Sequence, residues 1–239
     1  MWNISTIKRD ALHRLSGFFW KAVLVMIIHM VILNILTGIL PMPNLKAMME
    51  YPEEAMRIIS QNIVEYSTMY MKVLAGTFII RVFAVAPLEV GLRRFFMKAT
   101  DGEVKTGELF FAFKNNYLNV VKIMFLRDLF IYLWSLLFVI PGLVKSFQLY
   151  FVARILAEKP DISYREAAAK SKEMTNGDKL HILGLNLSFI GWMFLGMMVM
   201  GVGTVVVYPY MYEADEMLYR TKNIDTDSRE YFYNLFHSI

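Results

Sequence analysis

Three charged residues stand inside stretches that are otherwise apolar: Arg81, Arg127 and Asp128. An ionisable group at the centre of a bilayer costs roughly 2.5–3.5 kcal/mol on insertion scales, so such groups face neighbouring helices and take a partner. Arg81 and Asp128 belong to different apolar stretches at comparable depth, which predicts that they pair. Arg127 then faces the inner surface or a phosphate headgroup. A static clamp between helices is the leading reading of this group, with a substrate or proton path and lipid contact as the alternatives.

A second group is acidic: Glu213, Asp215 and Glu216. Glu213 and Glu216 share one helical face and Asp215 points elsewhere. Two acids on one face are a weak cation signal, since calcium takes about six to eight oxygens. A solvated helix end beside Arg220 and Lys222 fits them better. The histidines His13, His29, His181 and His237 show no His-x-x-x-His or His-Glu-x-x-His spacing. There is no Gly-x-Ser-x-Gly elbow and no phosphate loop. With no cysteine there is no thiolate metal site, disulfide or thiol nucleophile. The expectation is therefore no catalytic residue, no cofactor, no metal and a protein that is not an enzyme.

The elements that must position these charges are helical. Of the 239 residues, 56% are hydrophobic and 19% charged, with a mean hydropathy of +0.42. The apolar residues are gathered in long blocks, the pattern of a polytopic membrane protein rather than of a soluble core. The reading is an all-α transmembrane bundle, a single membrane domain over 1–239. Its spans lie at about 18–40, 68–92, 117–140, 142–157, 180–200 and 204–220, and a polar cytosolic tail occupies 221–239. The block at 18–40 is too long for a secretory leader, and no small-x-small site comes after it. Tyr66 and Tyr70 mark an interface, and Pro87 is placed to kink the second span. Pro141-Gly142 reads as the corner of a helical hairpin, because proline bars helix continuation and glycine permits a reversal. Gly201-Val-Gly203 breaks the last long apolar run, and Pro209 interrupts the sixth span beyond it.

Between the spans lie three amphipathic segments, at 2–17, 104–116 and 163–175. Each precedes a pair of spans, so the architecture repeats three times without residue-level identity. The first carries Ile4, Ile7, Ala11, Leu12 and Leu15 at helical spacing with Lys8, Arg9 and Arg14 between them, a basic helix suited to an anionic membrane surface. In the third, Ser163 and Glu166 form a capping box, Asn176-Gly177 ends the helix, and Asp178 is placed to cap the next. The net charge of +4 sits beside apolar blocks, which favours lipids over nucleic acid as partner. A second copy of the chain or other membrane proteins stay open as partners. Lys and Arg number four up to Lys21 and five in each of the 93–116 and 158–180 loops, but two in the 41–67 loop. That alternation places both termini in the cytoplasm.

The stretch Leu133–Leu183, with Ile140-Pro-Gly, Ile155-Leu-Ala-Glu-Lys-Pro-Asp-Ile-Ser and Ser171-Lys-Glu-Met, and then Leu187-Ser-Phe-Ile-Gly-Trp and Pro209-Tyr, resembles the bacterial membrane family called domain-of-unknown-function 975. Weaker likeness reaches back through Phe110–Phe113 and the Lys8–Gly17 segment. Glu213, Asp215 and Glu216 are more acidic than the family pattern. The resemblance implies a multi-pass protein of a bacterial cytoplasmic (inner) membrane and carries over no activity and no catalytic residue. The function expected from the residues is transport or organisation of the membrane and envelope. The alternatives are a transporter of a small solute or lipid using the intramembrane charges, and a membrane-embedded enzyme.

Overall fold

The computed structural model describes residues 2–38, 50–198 and 202–237, and among them it is helical with no strand. Helix α1 (Ile4–Ser16) starts at Asn3, whose side chain accepts from the Ser5 amide at 2.9 Å. It buries Ile7, Ala11 and Leu15, one stripe at i, i+4, i+8. Helix α2 (Phe19–Gly38) comes next, then a short helix α3 (Pro52–Gln61) in the polar connection. The remainder of the expected 41–67 connection before residue 50 lies outside the described residues.

Helix α4 (Ile63–Thr100) runs for 38 residues, well past the expected 68–92 span. Its one irregularity is a π-helical turn at Arg81–Val85, immediately before Pro87. Proline has no N–H to give the carbonyl four residues back. That carbonyl, on Phe83, is taken instead by the Tyr117 hydroxyl, which donates to it at 2.7 Å. Close packing lower on α4 depends on Gly91, where a Cβ would stand 1.9 Å from the Leu109 carbonyl oxygen. Leu109 belongs to the 3-10 turn Thr106–Phe110, which with the helical turn Phe111–Lys114 fills the expected amphipathic segment.

Helices α5 (Tyr117–Leu137) and α6 (Val139–Gln148) form a tight hairpin. The corner is not at Pro141-Gly142 but at Phe138, an extended residue with φ −159° and ψ 152°. Pro141 sits instead in the first turn of α6, where its missing N–H would have had no helical partner. Gly142 lets the two helices touch, since a Cβ there would stand 2.7 Å from Ser135 Cα. The chain bends again at 149–151 before α7 (Val152–Glu158), which is buried along nearly its whole length. Helix α8 (Tyr164–Met174) opens on the expected capping box, with both Ser163–Glu166 bonds present. Gly177 ends that segment at φ +80°.

Helices α9 (Lys179–Leu187) and α10 (Ile190–Met198) divide the expected 180–200 span at Ser188–Phe189. Helix α11 (Val202–His237) then continues without interruption through Pro209 and through most of the stretch expected as a polar tail. Within that tail the sequence spaces Phe232, Leu235 and Phe236 as one small apolar stripe, and these side chains lie outside those described. Among the described residues four stretches are long and apolar enough to cross a membrane: Phe19–Leu36, Ile63–Thr100, Val139–Glu158 and Lys179–Met198. The spans expected at 117–140 and 204–220 coincide with helices α5 and α11, which are not among these four.

Burial is concentrated at one end of the bundle. Phe95, Phe96, Leu92, Leu156, Met174 and Leu218 are almost fully enclosed, in three clusters drawn from every helix that reaches that end. At the other end α2, α4, α5, α6 and α10 expose Ile35, Phe78, Leu137, Ile140 and Phe194. A soluble protein does not leave so much contiguous apolar surface open, whereas a bilayer supplies the missing solvent.

Candidate functional site: a layered ion-pair network

The packed end is threaded by charge, and the charges come from helices far apart in sequence. The layer nearest the apolar end holds Arg81, Glu89, Arg127 and Asp128. Arg81 Nη2 donates to Asp128 Oδ2 at 3.3 Å, so the structure brings together the two residues whose depth predicts a pair. Arg127 differs from expectation. Its fork grips Glu89 from α4 at 2.9 and 3.0 Å, and it also holds its own neighbour Asp128 at 2.8 Å. A planar guanidinium matched to a carboxylate in this way is the strongest form of ion pairing. Arg127 is therefore committed to protein and not to a headgroup.

Glu89 is the residue that sequence reasoning passed over. It lies in the same apolar block as Arg81, two residues beyond Pro87, and the rule that singles out Arg81 applies to it equally. It also stands four residues from Arg93, so one face of α4 presents both a carboxylate and a guanidinium.

Arg93 opens the middle layer. Its Nη1 donates to Asp215 Oδ2 of α11 at 2.9 Å, and its guanidinium lies 4.5 Å from the Tyr212 ring. The Tyr150 hydroxyl donates to the other Asp215 oxygen at 2.6 Å, and Asn186 of α9 meets Tyr150 at 3.3 Å. Four elements are thus tied at one level by Arg93, Asp215, Tyr150 and Asn186.

The lower layer centres on Glu216. Arg154 of α7 grips it with two guanidinium nitrogens, Nη2 at 2.8 Å from Oε1. Arg220 donates to the same oxygen at 2.8 Å and reaches Asp101 at 2.8 Å. Arg154 also lies 4.2 Å from the Tyr219 ring, whose hydroxyl donates to Glu158. Glu213 accepts from the Thr100 hydroxyl at 2.9 Å. The expectation of a solvated acidic helix end is therefore corrected, because Glu213 and Glu216 are 0% and 2% exposed. Helix α11 continues past them, and Thr100, Arg154 and Arg220 close over the two carboxylates. Among the described residues no cluster of three metal-ligating side chains occurs.

Asp178 also departs from its expected role. It makes no capping bond to α9 and pairs instead with the buried Lys222 of α11. Burial pushes its carboxyl up, but the Lys222 bond and charge outweigh this and hold it below the usual range.

Residues 136–225 match the model of a family described as Protein of unknown function (DUF975). Over this stretch the chain is similar to that family. The DUF975 region begins at the α5–α6 corner and extends past Lys222 on α11, so it contains Tyr150, Arg154, Asn186, Asp215 and Glu216. It leaves Arg81, Glu89, Arg93, Arg127 and Asp128 outside. No curated protein and no solved structure matches the chain.

Proposed function

We propose that this chain is a non-enzymatic, multi-pass integral membrane protein that organises the membrane around it, with lipids as its principal partner. In this reading it sits in a bacterial cytoplasmic membrane with both termini in the cytoplasm. The observation that carries the reading is the Arg127 clamp. Its guanidinium, its Glu89 partner and Asp128 satisfy one another across two helices, which suits a fixed joint better than a site that must release a solute. Lipid contact is served by the edge of α1, where Arg9 and Arg14 stand exposed near the exposed Leu12 and Trp20. Positive charge beside apolar side chains is the combination that anionic headgroups attract.

Transport of a small solute or lipid is the second reading, and Arg81 favours it. Its side chain is 64% exposed and it holds Asp128 by one 3.3 Å bond.

The two readings separate on purified protein in liposomes. In the organising reading, voltage-driven proton or chloride flux equals that of protein-free vesicles. Native mass spectrometry shows retained phosphatidylglycerol over phosphatidylcholine, and Arg9→Gln with Arg14→Gln abolishes that preference. The charge swap Glu89→Arg with Arg127→Glu restores the thermal midpoint lost in either single variant. Flux above background that disappears in Arg81→Gln overturns the organising reading in favour of transport.

A further inference from the structure

We infer that the hairpin α5–α6 is re-entrant: it enters the bilayer from the charged end and turns inside the hydrocarbon, so that acyl chains, not water, surround its tip. This rests on the membrane reading above and revises the six-span topology within it.

The middle layer serves as a ruler. Arg93, Asp215, Tyr150 and Asn186 are joined by hydrogen bonds, so α4, α11, the α6–α7 bend and α9 pass through one level together. From Arg93 back to Lys72, the first cation of α4, the rise is about 32 Å, the thickness of a hydrocarbon core of about 30 Å. Helix α5 has 21 residues, but α6, which must return from the shared tip to the same level, does not rise so far, and neither do α10 and the first part of α11. Helix α6 has 10 residues, about 15 Å of length. Helix α10 has 9 residues, about 14 Å of length. From Asp215 to the start of α11 at Val202 is about 20 Å. Counted at helical rise from the layer residues themselves, Tyr150 to Val139 is at most about 17 Å and Asn186 to Met198 at most about 18 Å, so with α11 all three stop between half and two-thirds of the way across.

Val139–Glu158 is long and apolar enough to span by composition. Its second half, α7, however, is enclosed in the packed end, with Arg154 on Glu216. Only α6 is left to enter lipid.

The tip chemistry agrees. From Leu136 to Val144 the chain reads Leu-Leu-Phe-Val-Ile-Pro-Gly-Leu-Val, with no polar side chain. Leu136, Leu137, Phe138, Val139 and Ile140 are 63–75% exposed. A corner at the outer aqueous surface would put these side chains in water. The backbone is also prepared for hydrocarbon, where an unpaired polar group is costly. The corner is a single residue, and both its polar groups are used. The Phe138 N–H donates to the Trp134 carbonyl at 3.4 Å, and the Phe138 carbonyl accepts from Gly142 N–H at 3.3 Å. Pro141 removes one of the donors that a helix start leaves without a partner. The connection between α2 and α4 has the opposite character, with Glu53, Glu54 and Arg57 in it.

The natural absence of cysteine permits a direct test. Ile140→Cys, Ser60→Cys and Arg165→Cys are made singly in the full chain and exposed to a membrane-impermeant maleimide from each side of sealed vesicles. Ser60→Cys is expected to label from the outer side and Arg165→Cys from the inner side. Ile140→Cys is expected to label from neither side until SDS is added. A bimane on Ile140→Cys is expected to be quenched at least twofold more by 12-doxyl than by 5-doxyl phosphatidylcholine. Labelling of Ile140→Cys from the outer side, with stronger quenching by the 5-doxyl lipid, overturns the re-entrant turn and leaves the membrane reading standing. Release of the protein from vesicles by alkaline carbonate, with all three positions labelled in the supernatant, overturns both.

Discussion

Glu216 offers the sharpest test of how this bundle holds together. Its carboxylate is 2% exposed and sits between Arg154, itself 7% exposed in its side chain, and Arg220. Glu216→Gln keeps the shape and removes the charge. Beyond a neutral amide acceptor at 216, Arg154 would then retain the longer ion pair with Glu158 at 3.7 Å and the Tyr219 ring at 4.2 Å. Arg220 would keep Asp101. Breaking a buried pair by one partner costs about 3–5 kcal/mol, because the other charge stays buried. The residual partners of both arginines place this case at the low end, about 3 kcal/mol. At about 2–4 °C per kcal/mol for a chain of this size, the midpoint falls by on the order of 10 °C. The double variant Arg154→Met with Glu216→Leu removes both charges and fills the space, and is expected within about 1 kcal/mol of wild type. Thermal unfolding in one detergent, with size-exclusion recovery after heating, measures both. A Glu216→Gln midpoint within about 1 °C of wild type, or a double variant less stable than the single, would refute the view that an uncompensated buried charge dominates this layer.

Single contacts elsewhere in the bundle give further expectations. Gly91→Ala places a methyl 1.9 Å from the Leu109 carbonyl oxygen, so α4 must part from the 3-10 turn at a cost of about 3 kcal/mol or more, seen as lost detergent-stable protein. Tyr117→Phe strips the donor from the Phe83 carbonyl below Pro87 and is expected to lower stability by about 1 kcal/mol in the same assay. The Asp178 carboxyl titrates below its ordinary value in the fold. Its contribution is therefore complete above the unfolded carboxylate range and fades as pH falls through the lowered value. Asp178→Asn should accordingly destabilise at neutral pH and flatten the acid limb of a midpoint-against-pH profile; an unchanged acid limb would assign that limb to other carboxylates.

The all-helical character and the long apolar stretches were legible because hydrophobic blocks are local features. The capping box at Ser163 was readable for the same reason, since every atom in it lies within four residues. The Arg81–Asp128 pair could be inferred from depth alone. Glu89 was within reach of the same argument and needed only to be counted with Arg81. Other features were hidden because they depend on what stands opposite. Pro141-Gly142 has the composition of a corner, yet Gly142 is used for contact with Ser135 and Pro141 for a helix start, leaving Phe138 to turn. Glu213, Asp215 and Glu216 look solvated from sequence because Arg93, Thr100 and Arg154 approach from elements up to 122 residues away. The continuity of α11 through Pro209 was also out of reach, because tertiary contacts along the helix outweigh the one missing N–H.

The placement of charge and the proposed depth of the hairpin have one physical origin. A hairpin that turns inside hydrocarbon must be apolar at its tip and cannot use water to hold its far end in register. Its orientation has to be set at the end where it enters. In this bundle that end is where the α6–α7 bend, α9 and α11 meet α4 through Arg93, Asp215, Tyr150 and Asn186. Directional, charge-assisted bonds specify angle and register there more tightly than apolar packing does. Disturbing the entry layer should therefore move the tip. Asp215→Asn frees Arg93 and weakens the Tyr150 bond without touching the tip. In that background a bimane at Ile140→Cys should lose its contrast between deep and shallow quenchers. An unchanged contrast would mean that lipid packing around the tip sets its depth and that the middle layer serves only the packed end.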